Sequence, residues 1–326
     1  MNINIKQMKR IPLILIVCAF IGTTLNAQDR NEVIASYNEG AKAMQTDVNA
    51  AIKAFENVIT LSDKVGETAA DLKQKAVQVL PGLYVRAALN AINEKKSAPE
   101  IIRAAKKAAE MAEKYNNATA KENSGKVLVQ GYNTMATGYF GQNDFDNALL
   151  AFDSLLKVNP GFANAIYNKA LIYIRLNNND AYEETVDLFL SKLEPGKDDE
   201  RISQASTQAL EYFRAAGSQA NQAEKIDEAL ALLNRAAKYG DDKDLFYYFA
   251  DVYNKQKDFD KGAEYSQKGL GLETGDAEAR AKFFYQLAVA QAGKGQNALA
   301  CESFKNALYG PFAAASKAQR TNLKCQ

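Results

Sequence analysis

Histidine and tryptophan are absent from the 326 residues, cysteine occurs three times and proline six times. Without histidine there is no imidazole for a catalytic triad, a neutral-pH general base or a metal ligand. Acid–base chemistry would fall to Asp, Glu, Lys and Tyr. No Cys-x-x-Cys occurs, so a structural zinc site has no framework. Gly-x-Gly-x-x-Gly, the phosphate-binding loop and the serine elbow are missing as well. Neither sign of charge is in excess. Forty basic against 39 acidic side chains leave a net charge of +1, which removes the basic surplus on which nucleic-acid binding rests. The expectation is a non-enzymatic chain with no cofactor, no bound metal and no nucleic-acid partner.

Long apolar runs are also scarce. Ile11 to Gly22 is a run of 12 residues, too short for an ordinary membrane-spanning helix of about 20. Lys6, Lys9 and Arg10 precede it, and Thr23 to Ala27 follow as a small, polar stretch. These are the three parts of a secretory signal, with cleavage expected after Ala27. An uncleaved anchor is the alternative. The Asn-Ala ending before Gln28 resembles signal peptides of Bacteroidota. Export to the periplasm or the medium follows as the expected localisation, with no integral span in the mature chain. That chain, 28–326, would carry 37 basic against 39 acidic residues. Cys18 would leave with the leader, and Cys301 and Cys325 would enter an oxidising compartment.

What remains is Ala-rich and helical in period. Short Asn, Asp, Gly and Lys clusters interrupt it, and nothing alternates as a strand does. The clearest stretch runs from 129 to 162. Tyr132 is followed by Met135-Ala136 and Tyr139. After the turn Gly141-Gln-Asn-Asp144 come Ala148, Phe152, Leu155 and Pro160. Small Ala136 and Ala148 let two helices approach, Tyr139 and Phe152 fill the space beside them, and Pro160 ends the unit. Ala170 and Tyr173 repeat Ala136 and Tyr139 34 residues later.

This pattern resembles the tetratricopeptide repeat, a helix pair of 34 residues. Looser copies carry it over nearly all of 30–326. The expected fold is all-α: a right-handed superhelical solenoid of about seven helix pairs, at 33–62, 70–115, 126–160, 163–194, 201–238, 243–272 and 279–309. The array, 28–311, is followed by a C-terminal capping helix, 312–326. The stretch before Ala229 reads as a long Gln/Ala-rich turn. Asp198-Asp199-Glu200 and Asp241-Asp242-Lys243-Asp244 read as caps of the helices they precede. Lys317, Arg320 and Lys324 read as a solvated outer face of the cap.

The resemblance also implies a concave surface built from the first helix of each pair. Its facing positions would be Tyr37 and Ala41, Val85 and Leu89, Asn133 and Thr137, Tyr167 and Leu171, Tyr247 and Asp251, and Tyr285 and Val289. Four of these six pairs begin with Tyr, a large rigid contact face with a hydroxyl. The groove would hold a peptide or a partner protein. The alternative reading is a glycan- or cell-wall-binding module, since tyrosine faces also stack on sugar rings. A third possibility is that these tyrosines only pack between neighbouring helices. No Lys or Arg stands among the twelve positions, which argues against a carboxylate clamp. Cys301 and Cys325 could staple the last pair to the terminal helix, or remain two free thiols.

Overall fold

The computed structural model describes residues 29–326; the leader and its cleavage point lie outside the described residues. These residues form fifteen α-helices and, among them, no strand. Helix α1 covers 29–43. It is followed by α2 (Val48–Val65), α3 (Ala70–Asn93), α4 (Ala98–Lys114), α5 (Ala118–Gly141), α6 (Phe145–Val158) and α7 (Ala163–Arg175). Then come α8 (Asn179–Ser191), α9 (Asp199–Gln222), α10 (Ile226–Ala237), α11 (Lys243–Lys255), α12 (Phe259–Leu272), α13 (Ala277–Gly293), α14 (Asn297–Asn306) and α15 (Ala313–Asn322). Contacts divide the chain into two compact units, one ending at Ile172 and the other covering Tyr173–Gln326.

Local chemistry sets the helix ends. Asp47, Asn117, Asn178, Asp242, Asp258 and Asp276 each accept a hydrogen bond from a first-turn N–H of the helix that follows. Ser97 and Glu100 form a reciprocal box at the start of α4. The turn inside a pair needs one left-handed residue to reverse the chain. Asn143, Asn177, Glu224, Lys257 and Gly295 hold that position at φ 60°, 51°, 60°, 64° and 72°. Asn and Gly adopt it at little cost, whereas Glu224 and Lys257 do so against a preference of about 1–2 kcal/mol.

In the first unit, Val33 of α1 packs with Ala51, Phe55 and Val58 of α2 and Leu72, Ala76 and Leu80 of α3. Ala136, Ala148, Ala151, Phe152, Leu155, Ala165 and Ile172 form a second cluster where α5, α6 and α7 meet. Ala136, Ala148 and Phe152 are fully buried. In the second unit Phe213, Ala229, Leu233, Phe249, Phe283, Ala288, Ala300 and Phe304 are buried. One helix face is thus a stripe of small and bulky apolar residues, as an amphipathic helix in a layered fold requires.

Three expectations need correction. The Gln/Ala-rich stretch is not a turn: α9 continues to Gln222. Gly217 does not break it, because Leu233 lies where its Cβ would be, 2.8 Å away, so the glycine serves a close helix contact. Asp198 stands at the N-cap of α9 and Asp199 in its first turn, but neither side chain bonds a first-turn N–H. Their carboxylates accept from the Glu194 and Gly196 N–H groups and hold the preceding loop. Arg320 is not part of a solvated face; its guanidinium donates to the Cys301 and Gln326 carbonyls.

Candidate functional site

The positions expected to share one surface divide into three groups. Val85 is buried with Ala108, Ala112 and Ala120 and belongs to the core, while Leu89, one turn on, is exposed. Tyr37 packs edge-to-face on Phe55, with ring centres 5.5 Å apart, and joins the core of the first unit. Val85 departs from the groove reading, because α3 turns it toward α4, while Tyr37 stays half-buried against α2. On α5, Asn133 is half-buried, and the exposed Thr137 turns its hydroxyl back to the Asn133 carbonyl at 2.8 Å. Tyr167 on α7 is half-buried. In the second unit, Tyr247 and Asp251 of α11 and Tyr285 of α13 come together with groups the pattern did not single out.

Asp251 is the centre of that cluster. One carboxylate oxygen accepts from the Asn221 amide of α9 at 2.6 Å, and the other from the Gln286 amide of α13 at 2.9 Å. Lys255, one helical turn along α11, approaches Asp251 at 3.1 Å and donates to the Asn221 side-chain oxygen at 2.8 Å. The Asn254 amide donates to both the side-chain and main-chain oxygens of Gln286, each at 2.9 Å. Asn221, Asn254 and Gln286 are all buried, so a polar ladder crosses three successive pairs. Buried amides are costly unless bonded, and the ladder bonds nearly all of them. The Asn254 side-chain oxygen has no hydrogen-bond partner. It sits 2.1 Å from where a Cβ on Gly262 would be, so only glycine leaves it room.

Tyr247 and Tyr285 stand beside this ladder. Tyr247 meets Phe283 edge-to-face at 6.2 Å. Phe312, from the short 3-10 turn Gly310–Phe312 after α14, lies 5.4 Å from Tyr285 and 6.4 Å from Tyr247. Burial and the Asp251 carboxylate push the Tyr247 phenol up to about 12, with a Gln286 hydrogen bond pulling the other way. Tyr285 is raised for the same first two reasons. An acid held neutral in the fold stabilises it fully below its unfolded pKa of 10.0 and progressively less toward about 12. Denaturation midpoints measured from pH 9 to 12 should therefore fall less steeply for Tyr247→Phe than for the wild type.

Cys301 and Cys325 are joined by a disulfide, with Cα atoms 5.5 Å apart. Among the described residues no three His, Cys, Asp or Glu side chains are grouped as a metal site. No helix among them is long and apolar enough to cross a membrane.

The sequence pattern missed Asn221, Lys255 and Gln286. Lys255 had a local signal, the Asp251–Lys255 spacing of four. Asn221 sat in the stretch read as a turn, and Gln286 stood one place beyond a groove position. Lys255 also qualifies the argument from the missing cations, because a lysine reaches the face from one turn away.

The buried small–large register of Ala136, Ala148 and Phe152, recurring as Ala288, Ala300 and Phe304, decides the architecture. The fold is a tetratricopeptide-type helical repeat. No family model and no curated protein matches the sequence. Solved structures of repeat proteins resemble parts of it. The MamA protein is 20% identical, with 61% of this chain and 97% of that chain covered at a TM-score of 0.34. YrrB, described as a TPR protein with an unusual peptide-binding site, is 19% identical over 58% of this chain and 91% of its own, at 0.35. A tetratricopeptide repeat protein from Parabacteroides merdae ATCC 43184 is 16% identical over 91% of this chain and 99% of that one, at 0.28. The assignment to this repeat fold rests on the helix pairs described above.

Proposed function

We propose that this tetratricopeptide-type array is a non-enzymatic scaffold, exported to the periplasm or beyond, which holds a peptide or partner protein on the α9–α11–α13 face. One observation carries the reading: the bonded ladder Asn221–Asp251–Gln286 crosses three successive pairs, fixes Lys255 on α11 and lies on the helices that carry Tyr247 and Tyr285. A preordered set of this kind lowers the entropy cost of binding. The two phenols bring rigid contact area, and Lys255, whose side chain is 41% exposed, brings a cation that carbonyl groups of an extended chain can meet. The three-part leader supports export, and a disulfide between Cys301 and Cys325 fits an oxidising compartment.

The test is recovery of partners from an envelope extract by immobilised protein. Lys255→Glu combined with Tyr285→Ala should recover a specific partner about tenfold less than the wild type, the effect of losing 1.4 kcal/mol. Lys53→Glu, an exposed charge reversal on α2 in the other unit, should recover it fully. Equal recovery by all three would remove the groove reading, provided circular dichroism shows the variants folded.

A further inference from the structure

Beyond α14 the chain does something a simple end cap would not require. Leu308 and Tyr309 are exposed as they leave the helix. Gly310 then turns at φ 51°, against Glu278 of α13; a Cβ there would lie 2.7 Å from the Glu278 carboxylate, so the segment passes close over α13. The turn delivers Phe312 onto Tyr285 and Tyr247. The chain's own C-terminal segment therefore covers part of the tyrosine face.

Beyond Phe312, little of that segment is buried. Among the residues of α15 only Ser316 is buried, with its hydroxyl donating to the Ala307 carbonyl at 3.2 Å. Leu323 adds one partly buried contact to the Ala288–Ala300–Phe304 cluster, and Arg320 donates to the Cys301 carbonyl. A helix of ten residues with a serine as its buried side chain docks weakly by the hydrophobic effect. The Cys301–Cys325 bond closes the 24-residue span and keeps α15 against α14. That bond lies in an open cleft of about 440 Å³, lined by Lys305, Arg320, Lys324 and Glu302 as well as both cysteines. Both cysteines are half-buried rather than sealed in the core, so a thiol can approach the bond.

We propose that residues 308–326 form a disulfide-locked lid over the Tyr247–Tyr285 face, closed when Cys301 and Cys325 are bonded and released by thiol–disulfide exchange. Opening takes a dithiol reductant. Its first thiolate attacks one sulfur of the bond, forming a mixed disulfide and releasing the other cysteine as a thiolate. Its second thiolate displaces the bound protein sulfur, and the reductant leaves as a disulfide. Two electrons pass to the protein, and each cysteine takes up a proton. Closing is the reverse, with a disulfide oxidant of the compartment taking the two electrons. The groove reading above supplies only the purpose of the lid; the covering of Tyr247 and Tyr285 stands without it.

The experiment needs no partner. Hydrogen–deuterium exchange of the full chain is compared before and after dithiothreitol, and tyrosine nitration is mapped by mass spectrometry in wild type, Cys301→Ser with Cys325→Ser, and Phe312→Ala. Under reduction, amides of 310–322 should exchange about tenfold or more faster, as a segment freed for local opening does. Nitration of Tyr247 and Tyr285 should rise several-fold in the double serine variant and in Phe312→Ala. Unchanged exchange in 310–322 after verified reduction would overturn the lock, and this arm stands even if the double variant fails to fold. Unchanged nitration in a folded Phe312→Ala would overturn the covering. A moving lid on a protein that recovers no partner would leave the lid standing and remove the groove.

Discussion

Phe152→Ala should lower the unfolding free energy of the first unit by about 3–5 kcal/mol, the usual cost of truncating a buried phenylalanine. The ring is fully buried on α6, within a cluster that includes Ala136, Ala148, Ala165 and Ile172. The alanines of the cluster have little side chain with which to fill the vacated space, so a cavity cost adds to the lost transfer energy. The effect should stay near its origin, because each pair of a repeat array depends mainly on its neighbours. Urea denaturation followed by circular dichroism checks it: an early transition should separate from the rest of the curve. A midpoint equal to that of the wild type would contradict the register of α5, α6 and α7.

Gly269→Ala should destabilise the second unit by about 1–3 kcal/mol, the range for overpacking a filled core. The sign is the informative part. In the interior of an ordinary helix, this change stabilises by about 0.5–1 kcal/mol. Here a Cβ would lie 2.2 and 2.4 Å from two ring carbons of Phe283. Phe283 is fully buried, with Tyr247 edge-on against it, and has nowhere to move. Gly271, two residues further along α12, would meet nothing within 4 Å. Gly271→Ala should therefore leave stability unchanged or raise it by up to about 1 kcal/mol. Thermal melts of the two variants should move in opposite directions, and a shared direction would refute the close approach of α12 and α13.

The same comparison shows which features a linear reading reaches. Ala136, Tyr139, Ala148 and Phe152 were legible because their contacts lie within one helical pair, where spacing in sequence maps directly onto a helix face. The stretch before Ala229 read as a Gln/Ala-rich turn but is the end of α9, and the approach of Leu233 shows what Gly217 does in that helix. The candidate site was half legible. Tyr247, Asp251 and Tyr285 stand at repeat positions, but Asn221 and Gln286 lie 30 and 35 residues from the aspartate they hold. Those pairings depend on how one pair docks on the next.

The sequence by itself determined an all-helical repeat, most of its turns and its small–large core register. Each of these follows from short-range periodicity and from the conformational preferences of Ala, Asn, Gly and Pro. Tertiary structure alone decided that Val85 serves the core, that Asp251 is clasped from both sides, and that Phe312 packs on two tyrosines. Side chains thirty or more residues apart meet only once helices dock, and no local spacing encodes the docking angle.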